Sequence, residues 1–143
     1  MVDTMGGVVL TGIEAKRFIR VDEGAPSVSI SSNLTLTDVY SSNNHNVFVE
    51  FVFCCNYTPN VCSIKIEGVF IFDGPDKEGL INEWREKKRL DTDKFLFIHN
   101  SILYRCFVEA VGVSKDINVP SPVSIPTVSV KKEIEPGEGL VYG

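Results

Sequence analysis

Apolar and polar residues alternate along the first half of the chain, with the period of two that indicates half-buried β-strands. Four such stretches are predicted, at residues 8–21, 28–40, 47–57 and 61–72. The segments between them, residues 22–26, 41–46 and 58–60, are rich in residues that favour turns. We therefore expect a four-stranded antiparallel sheet.

The third and fourth stretches carry apolar residues at both sets of alternate positions. One set in the third stretch is apolar without a break: Val47, Val49, Phe51, Phe53, Cys55 and Tyr57. The other set still contains Phe48, Val52 and Cys54, and the fourth stretch adds Val69 and Ile71 to it. A sheet that is apolar on both faces, in a chain with little helix, needs a partner subunit or a ligand over the second face. Coverage by the chain's own loops and termini is the alternative.

Two helices are predicted after the strands, because the spacing of apolar residues changes to three and four. The first covers residues 76–89, begins with acidic residues and ends with basic ones, as the helix dipole favours. The second begins at an N-cap at Thr92 or Asp93, continues to residue 113 and is apolar over more than half its surface. The predicted fold class is α+β, a four-stranded antiparallel sheet followed by a short helix and a long helix.

The length of 143 residues, 43% of them hydrophobic, predicts one domain, which we place at residues 1–130. Three prolines within residues 119–126 exclude a central strand there and indicate an extended arm. Residues 131–143 combine glutamates with glycines, and we expect a flexible acidic tail.

The net charge of −5 disfavours binding to nucleic acid, because no basic face is evident. The first residues do not resemble a signal peptide, and no apolar run is long enough to predict a membrane span. We therefore expect a cytoplasmic protein without a membrane partner.

The four cysteines, Cys54, Cys55, Cys62 and Cys106, lack the spacing of a metal site. A hairpin around residues 58–60 brings Cys62 near Cys54 or Cys55, where a disulfide requires both side chains on one face. Reduced thiols that fill the core are the expected state in a cytoplasmic chain.

Candidate catalytic groups are few, and we expect neither an enzyme nor a cofactor. His45 lies in a polar turn, and His99 lies beside the apolar stripe of the long helix. Neither belongs to a recognisable catalytic motif, and the glycines do not form a phosphate-binding loop. Two alternatives stay open: a small-molecule enzyme of hot-dog-like architecture that uses His99 or Glu50, and a module dedicated to one folded partner.

Several segments resemble the SecB protein-export chaperones. Residues 62–72 are similar to that family's final strand, with its glycine, hydrophobic and phenylalanine pattern. A short helix follows, then Leu96 and Phe97 at the opening of a long helix, then the proline-rich arm of residues 119–126. Residues 20–26, which contain Asp-Glu-Gly-Ala-Pro, resemble the end of the family's first strand. The resemblance covers residues 10–130 and rests on the order of these segments.

The resemblance implies an ATP-independent holdase, a homotetramer built as a dimer of dimers with the long helices inside. Unfolded polypeptides would bind in hydrophobic grooves, and the family's role is protein export. Apolar contact rather than chemistry would drive this binding. The residues we expect to contact polypeptide are Phe48, Val52, Cys54, Trp84 and Phe95.

The chain departs from the family at positions that matter for delivery to the SecA motor. Family members use acidic residues there, and the matching positions hold Arg20, Gly24 and Ser63. The family's proline near the start of the long helix corresponds to Ile98. These departures make SecA coupling doubtful and leave a holdase that acts alone, or one dedicated to a single client, as the expectation.

Overall fold

The structure, a computed structural model, describes residues 6–23, 27–42, 46–90 and 93–123. Four strands come first: β1 (Gly6–Arg17), β2 (Ser29–Ser41), β3 (Val47–Thr58) and β4 (Cys62–Phe72). Helix α1 (Lys77–Lys87), a single 3-10 turn (Asp93–Phe95) and helix α2 (Leu96–Asp116) follow. The predicted fold class, an antiparallel four-stranded sheet followed by a short helix and a long helix, is confirmed.

The strand order across the sheet is β1-β4-β3-β2, and all neighbours are antiparallel. Strands β2, β3 and β4 are joined as consecutive hairpins. Strand β1 instead pairs with the last strand, from Gly6 opposite Phe72 to Arg17 opposite Cys62. Strands β1 and β2 are therefore the two edges of the sheet.

Both helices lie on one side of the sheet, which we call the helix face. The alternate residues of β3 and β4 that point to this side are buried, whereas the residues between them on the other side are partly exposed. Aromatic rings connect the two layers: Phe53 contacts Phe107 with ring centroids 5.0 Å apart, and Phe70 contacts Phe97 at 6.1 Å, both edge to face. The period-two pattern of the sequence thus becomes one face that is buried along the central strands β3 and β4 and one face on which no helix of the described residues packs.

Strand β1 ends at Arg17, four residues before the predicted end, because the Arg17 side chain binds the end of α2. Its guanidinium donates hydrogen bonds to the backbone carbonyls of Ile117 at 3.3 Å and Asn118 at 2.6 Å. The same side chain donates to the carbonyls of Ile19 and Arg20, which turns the chain away from the sheet. Carbonyl groups at a helix C-terminus lack helical partners, so a cation there stabilises the helix end.

The predicted N-cap of the long helix was wrong. Asp93 lies in the 3-10 turn, α2 begins at Leu96, and no side chain of the described residues caps it. The helix also continues to Asp116, three residues beyond the predicted end. Thr92, His45, residues 124–126 of the arm and the expected tail at residues 131–143 lie outside the described residues.

Gly68 is required by close packing at the centre of the sheet. A Cβ atom there would lie 2.6 Å from the Val9 carbonyl oxygen and 2.7 Å from Cζ of Phe51. We expect Gly68→Ala to lower the free energy of unfolding by about 1–3 kcal/mol, because the Phe51 ring and the backbone of β1 must both move.

Gly112, which is exposed on α2, provides the control because nothing lies within 4 Å of the Cβ that alanine would add. Gly112→Ala should raise the free energy of unfolding by up to about 1 kcal/mol through helix propensity. Urea unfolding followed by circular dichroism measures both changes. Equal effects of the two substitutions would contradict the packing argument.

Candidate functional site

The candidate site is the side of the sheet opposite the helices, which we call the open face. Strands β3 and β4 present the alternate residues from Phe48 to Asn56 and from Ser63 to Ile71 on this side. All are partly exposed except Asn56, which is exposed. Neither α1 nor α2 packs on this face, since their buried residues belong to the core on the helix face. A continuous surface of four strands is therefore left uncovered by the described residues.

Cross-strand registers arrange the open face in rows that change from apolar to polar. The row at one end contains Tyr40, Phe48, Ile71 and Gly7, and the next contains Asp38, Glu50, Val69 and Val9. Towards the other end the rows are polar: Asn33, Cys54, Lys65 and Glu14, then Ser31, Asn56, Ser63 and Lys16. Apolar binding capacity is thus concentrated at one end, in what we call the apolar patch: Val9, Tyr40, Phe48, Val69 and Ile71.

Contacts of Tyr40 on β2 with Phe48 and Glu50 on β3 hold one border of the apolar patch in place. Tyr40 stacks on Phe48, with ring centroids 5.4 Å apart and 21° between the planes. The Tyr40 hydroxyl donates a hydrogen bond to Glu50 at 3.1 Å. A tyrosine phenol is already neutral at pH 7, and partial burial together with this bond to a carboxylate raises the pKa of the Tyr40 phenol further. A neutral, stacked aromatic pair suits contact with apolar groups.

A shallow depression of about 280 Å³ adjoins the apolar patch in the middle of the open face. Its walls include Glu50, Val52, Glu67 and Val69 from the central strands, and Thr11 and Thr37 from the edges. Each of these threonines is the extra residue of a β-bulge, because the register of β1 shifts between Leu10 and Gly12 and that of β2 between Leu36 and Asp38. Bulges bend a sheet and increase its twist. The depression lies where both edges bend.

The five residues predicted to contact polypeptide do not form one surface. Phe48, Val52 and Cys54 lie together on the open face. Trp84 and Phe95 lie on the opposite side of the sheet, 8% and 2% exposed, as members of the core. There Lys88 lies over the Trp84 ring, and Phe95 packs edge to face against Phe72. A role in polypeptide binding stays a prediction for all five, and the open-face group is the one that the solvent reaches.

Val9, Tyr40, Val69 and Ile71 also belong to the candidate surface, although sequence reasoning did not select them. The alternation in the sequence already placed Val69 and Ile71 on the second apolar face with Phe48 and Val52, but they were not named among the residues expected to contact polypeptide. Val9 and Tyr40 belong to the surface because the strand order places β1 and β2 on either side of the central hairpin. The sequences of the edge strands alone do not indicate that Val9 and Tyr40 lie beside the apolar residues of β3 and β4.

His99 and Glu50, considered as catalytic groups, are on different sides of the sheet. Glu50 belongs to the open face, whereas His99 belongs to α2, and the buried His99 Nδ1 atom has no hydrogen-bond partner among the described residues. These two groups cannot act on one substrate. Among the described residues, no group of three or more His, Cys, Asp or Glu side chains is placed to hold a metal ion.

A second apolar surface lies on the outer side of α2. Leu96, Tyr104 and Val108 are 47%, 74% and 52% exposed, and their spacing places them on one side of the helix. By length and composition alone α2 is long and apolar enough to span a membrane. A core helix passes the same test, and α2 does pack against the sheet, so this finding carries no argument for a membrane.

All four cysteines are free thiols, and three of them are buried on the helix face. Burial raises the pKa of Cys62 to about 11 and that of Cys106 to about 12, and it also raises the pKa of Cys55. Thiols below their pKa are protonated, and the thiolate is the reactive form. Only Cys54, on the open face, is partly exposed.

We therefore expect one fast-reacting thiol in the native protein. Titration with an aromatic disulfide reagent at mildly alkaline pH should label Cys54 promptly, and the other three thiols only as the protein unfolds. The Cys54→Ser variant should lose the fast phase and retain the slow one. Prompt reaction of any thiol in that variant would contradict the buried positions.

Comparisons of the chain with protein-family models, with curated proteins and with solved structures each found no match.

Proposed function

We propose that this protein is an ATP-independent holdase that binds extended, apolar segments of unfolded polypeptides on the open face of its sheet. The observation that carries the proposal is the apolar patch. It is a cluster of aromatic and aliphatic side chains on a sheet face that the described residues leave uncovered. Clustered apolar surface of this kind is typical of an interaction site. Burial of apolar area stabilises a complex by roughly 25 cal/mol per Å² and depends little on the sequence of the client, so one surface can bind varied clients.

The chemistry of the open face supports binding rather than catalysis. Its charged groups are spread among apolar and hydroxyl side chains, and Lys65 pairs with Glu67 at 3.5 Å on the surface. The exposed outer side of α2 supports the accompanying proposal of a homo-oligomer with the long helices inside, because burial of Leu96, Tyr104 and Val108 would remove a second apolar surface from water. A role in protein export and coupling to a translocation motor go beyond what these surfaces support.

The test is whether the purified protein suppresses aggregation of a chemically unfolded client without nucleotide. Light scattering after dilution of the client should fall to near baseline at about one oligomer per client chain. Unchanged scattering at that ratio would reject the holdase. A tight one-to-one complex with a single folded protein, together with indifference to unfolded clients, would instead establish a dedicated partner-binding module. Sedimentation would establish the oligomeric state, and a monomer would remove the proposed helix interface.

A further inference from the structure

Strand β2 forms one edge of the sheet, and its outer side has no partner strand among the described residues. Every second residue of an edge strand directs its backbone N–H and C=O groups away from the sheet. Natural edges are commonly protected from association by prolines, by lysines or by a short length. Strand β2 has 13 residues, contains neither proline nor lysine, and carries Asp38 as its one charged residue. This edge is therefore suited to hydrogen bonding with a further strand.

The regular part of this edge ends at Leu36, because the β-bulge of β2 lies between Leu36 and Asp38. A bulge bends a strand and interrupts its ladder, so a partner strand pairs regularly up to Leu36. Before the strand, the chain contains Pro26, which has no N–H to donate to a ladder. The longest stretch that is available for regular pairing is thus close to residues 28–36.

The stretch at residues 28–36 is symmetric in chemical character about Ser32. Ser32 interrupts the apolar residues that β2 places on the helix face, so a centre one residue away would set Ser32 against Leu34. With the centre at Ser32, each polar residue corresponds to a polar one and each apolar residue to an apolar one: Ser31 with Asn33, Ile30 with Leu34, Ser29 with Thr35, and Val28 with Leu36.

Pairing with a second copy of the chain requires this kind of symmetry. When a twofold axis relates two identical strands, residue i opposes residue j and residue j opposes residue i. With the axis at Ser32, the apolar pairs all lie on the helix face, and the pairs of hydroxyl and amide side chains lie on the open face. Cross-strand pairs of matching character stabilise a sheet. The apolar members are partly exposed in the single chain and would gain cover: Val28, Ile30, Leu34 and Leu36.

Charge does not oppose this pairing. Asp38 is the one charged residue of β2, and it lies beyond the bulge that ends the symmetric stretch. Like charges of two copies therefore do not meet across the edge. A client polypeptide or another protein would not need a symmetric stretch to pair with β2, so the symmetry favours a second copy as the occupant.

We propose that two copies of this protein associate through the outer edges of β2, antiparallel, with Ser32 at the twofold axis. The two four-stranded sheets then form one sheet of eight strands, with both open faces on one side and all helices on the other. This interface uses a different element from the outer side of α2, so one oligomer can contain both contacts. The inference goes beyond the proposed function and does not depend on the binding of a client.

Charge substitutions at Ser31 and Asn33 test the register, because these exposed residues oppose each other across the axis. Ser31→Lys/Asn33→Lys sets lysine against lysine and should weaken the association about tenfold or more, and Ser31→Glu/Asn33→Glu should do the same with carboxylates. An equimolar mixture of the two variants sets lysine against glutamate and should restore the association. The mixture is the matched control, since it contains the same substitutions and differs only in which charges meet.

Sedimentation equilibrium measures the association. Each variant alone should have half the mass of the unsubstituted protein, whether or not α2 forms a second interface, and the mixture should regain the full mass. Circular dichroism establishes that the variants are folded. An unchanged mass in both variants, or a mixture that does not recover, would overturn the inference, as would a monomeric unsubstituted protein.

Hydrogen exchange of the unsubstituted protein provides a second test that needs no variant. The outward amides of residues 28–36 should become protected as the protein concentration rises, because a second copy then occupies the edge. Protection that does not depend on concentration would assign the edge to the same chain and overturn the inference. A protein that pairs through β2 but leaves client aggregation unchanged would reject the holdase and retain this interface.

Discussion

Replacement of Phe48 and Val69 together by threonine should weaken the binding of an unfolded client by roughly 10- to 30-fold. Both side chains are partly exposed members of the apolar patch, and the exposed part of each would contribute about 1 kcal/mol to binding when a client covers it. Two such losses correspond to that range of affinity. Threonine is β-branched and retains the preference for strand conformation, so the sheet should persist. The dissociation constant for a fluorescently labelled, permanently unfolded client measures the change.

Val21→Thr is the matched control for this double variant, because Val21 is 88% exposed and lies outside the sheet. Its client affinity should equal that of the unsubstituted protein. Circular dichroism of all variants establishes that the sheet is retained. An unchanged affinity of a folded Phe48→Thr/Val69→Thr protein would place the client elsewhere and remove the support that the apolar patch gives to the proposed function.

Phe53→Ala should lower the free energy of unfolding by about 3–5 kcal/mol, because Phe53 is fully buried and its ring packs against Phe107 on the helix face. Phe48→Ala, on the open face of the same strand, should cost only about 1–2 kcal/mol, since part of its side chain is already in water. Chemical denaturation of both variants measures the difference. Equal losses would mean that the open face is covered as completely as the helix face.

The sequence predicted the central hairpin well, because its pattern is local. Alternate residues of β3 and β4 identify the buried face without knowledge of their neighbours, and the structure follows them from Val47 to Phe72. The strand order could not be predicted from the sequence. Strand β1 pairs with β4, which lies 45 to 66 residues later along the chain, and nothing in the residues from Gly6 to Arg17 specifies that partner. The contributions of Val9 and Tyr40 to the open face depend on that order.

Helix surfaces were harder to interpret than strand faces. Trp84 and Phe95 are large apolar residues near helix ends, and a sequence alone does not tell a groove wall from a core contact. The structure buries them because α1 and the 3-10 turn bring both residues against the sheet. The end of β1 was also missed, because it depends on Arg17 reaching the carbonyls at the end of α2, 100 residues away.

Loss of the two bulge residues, Thr11 and Thr37, would flatten this sheet without changing which residues face its core. Thr37 is an extra residue: without it Leu36, Asp38 and Val39 would still alternate between the helix face and the open face as they do now. The same holds for Thr11 in β1, between Leu10 and Gly12. A chain that lacked both threonines would keep every inward and outward assignment of its edge strands, yet it would form a flatter surface with no hollow at its centre. The concavity of this protein is thus encoded separately from its core, in two single-residue insertions.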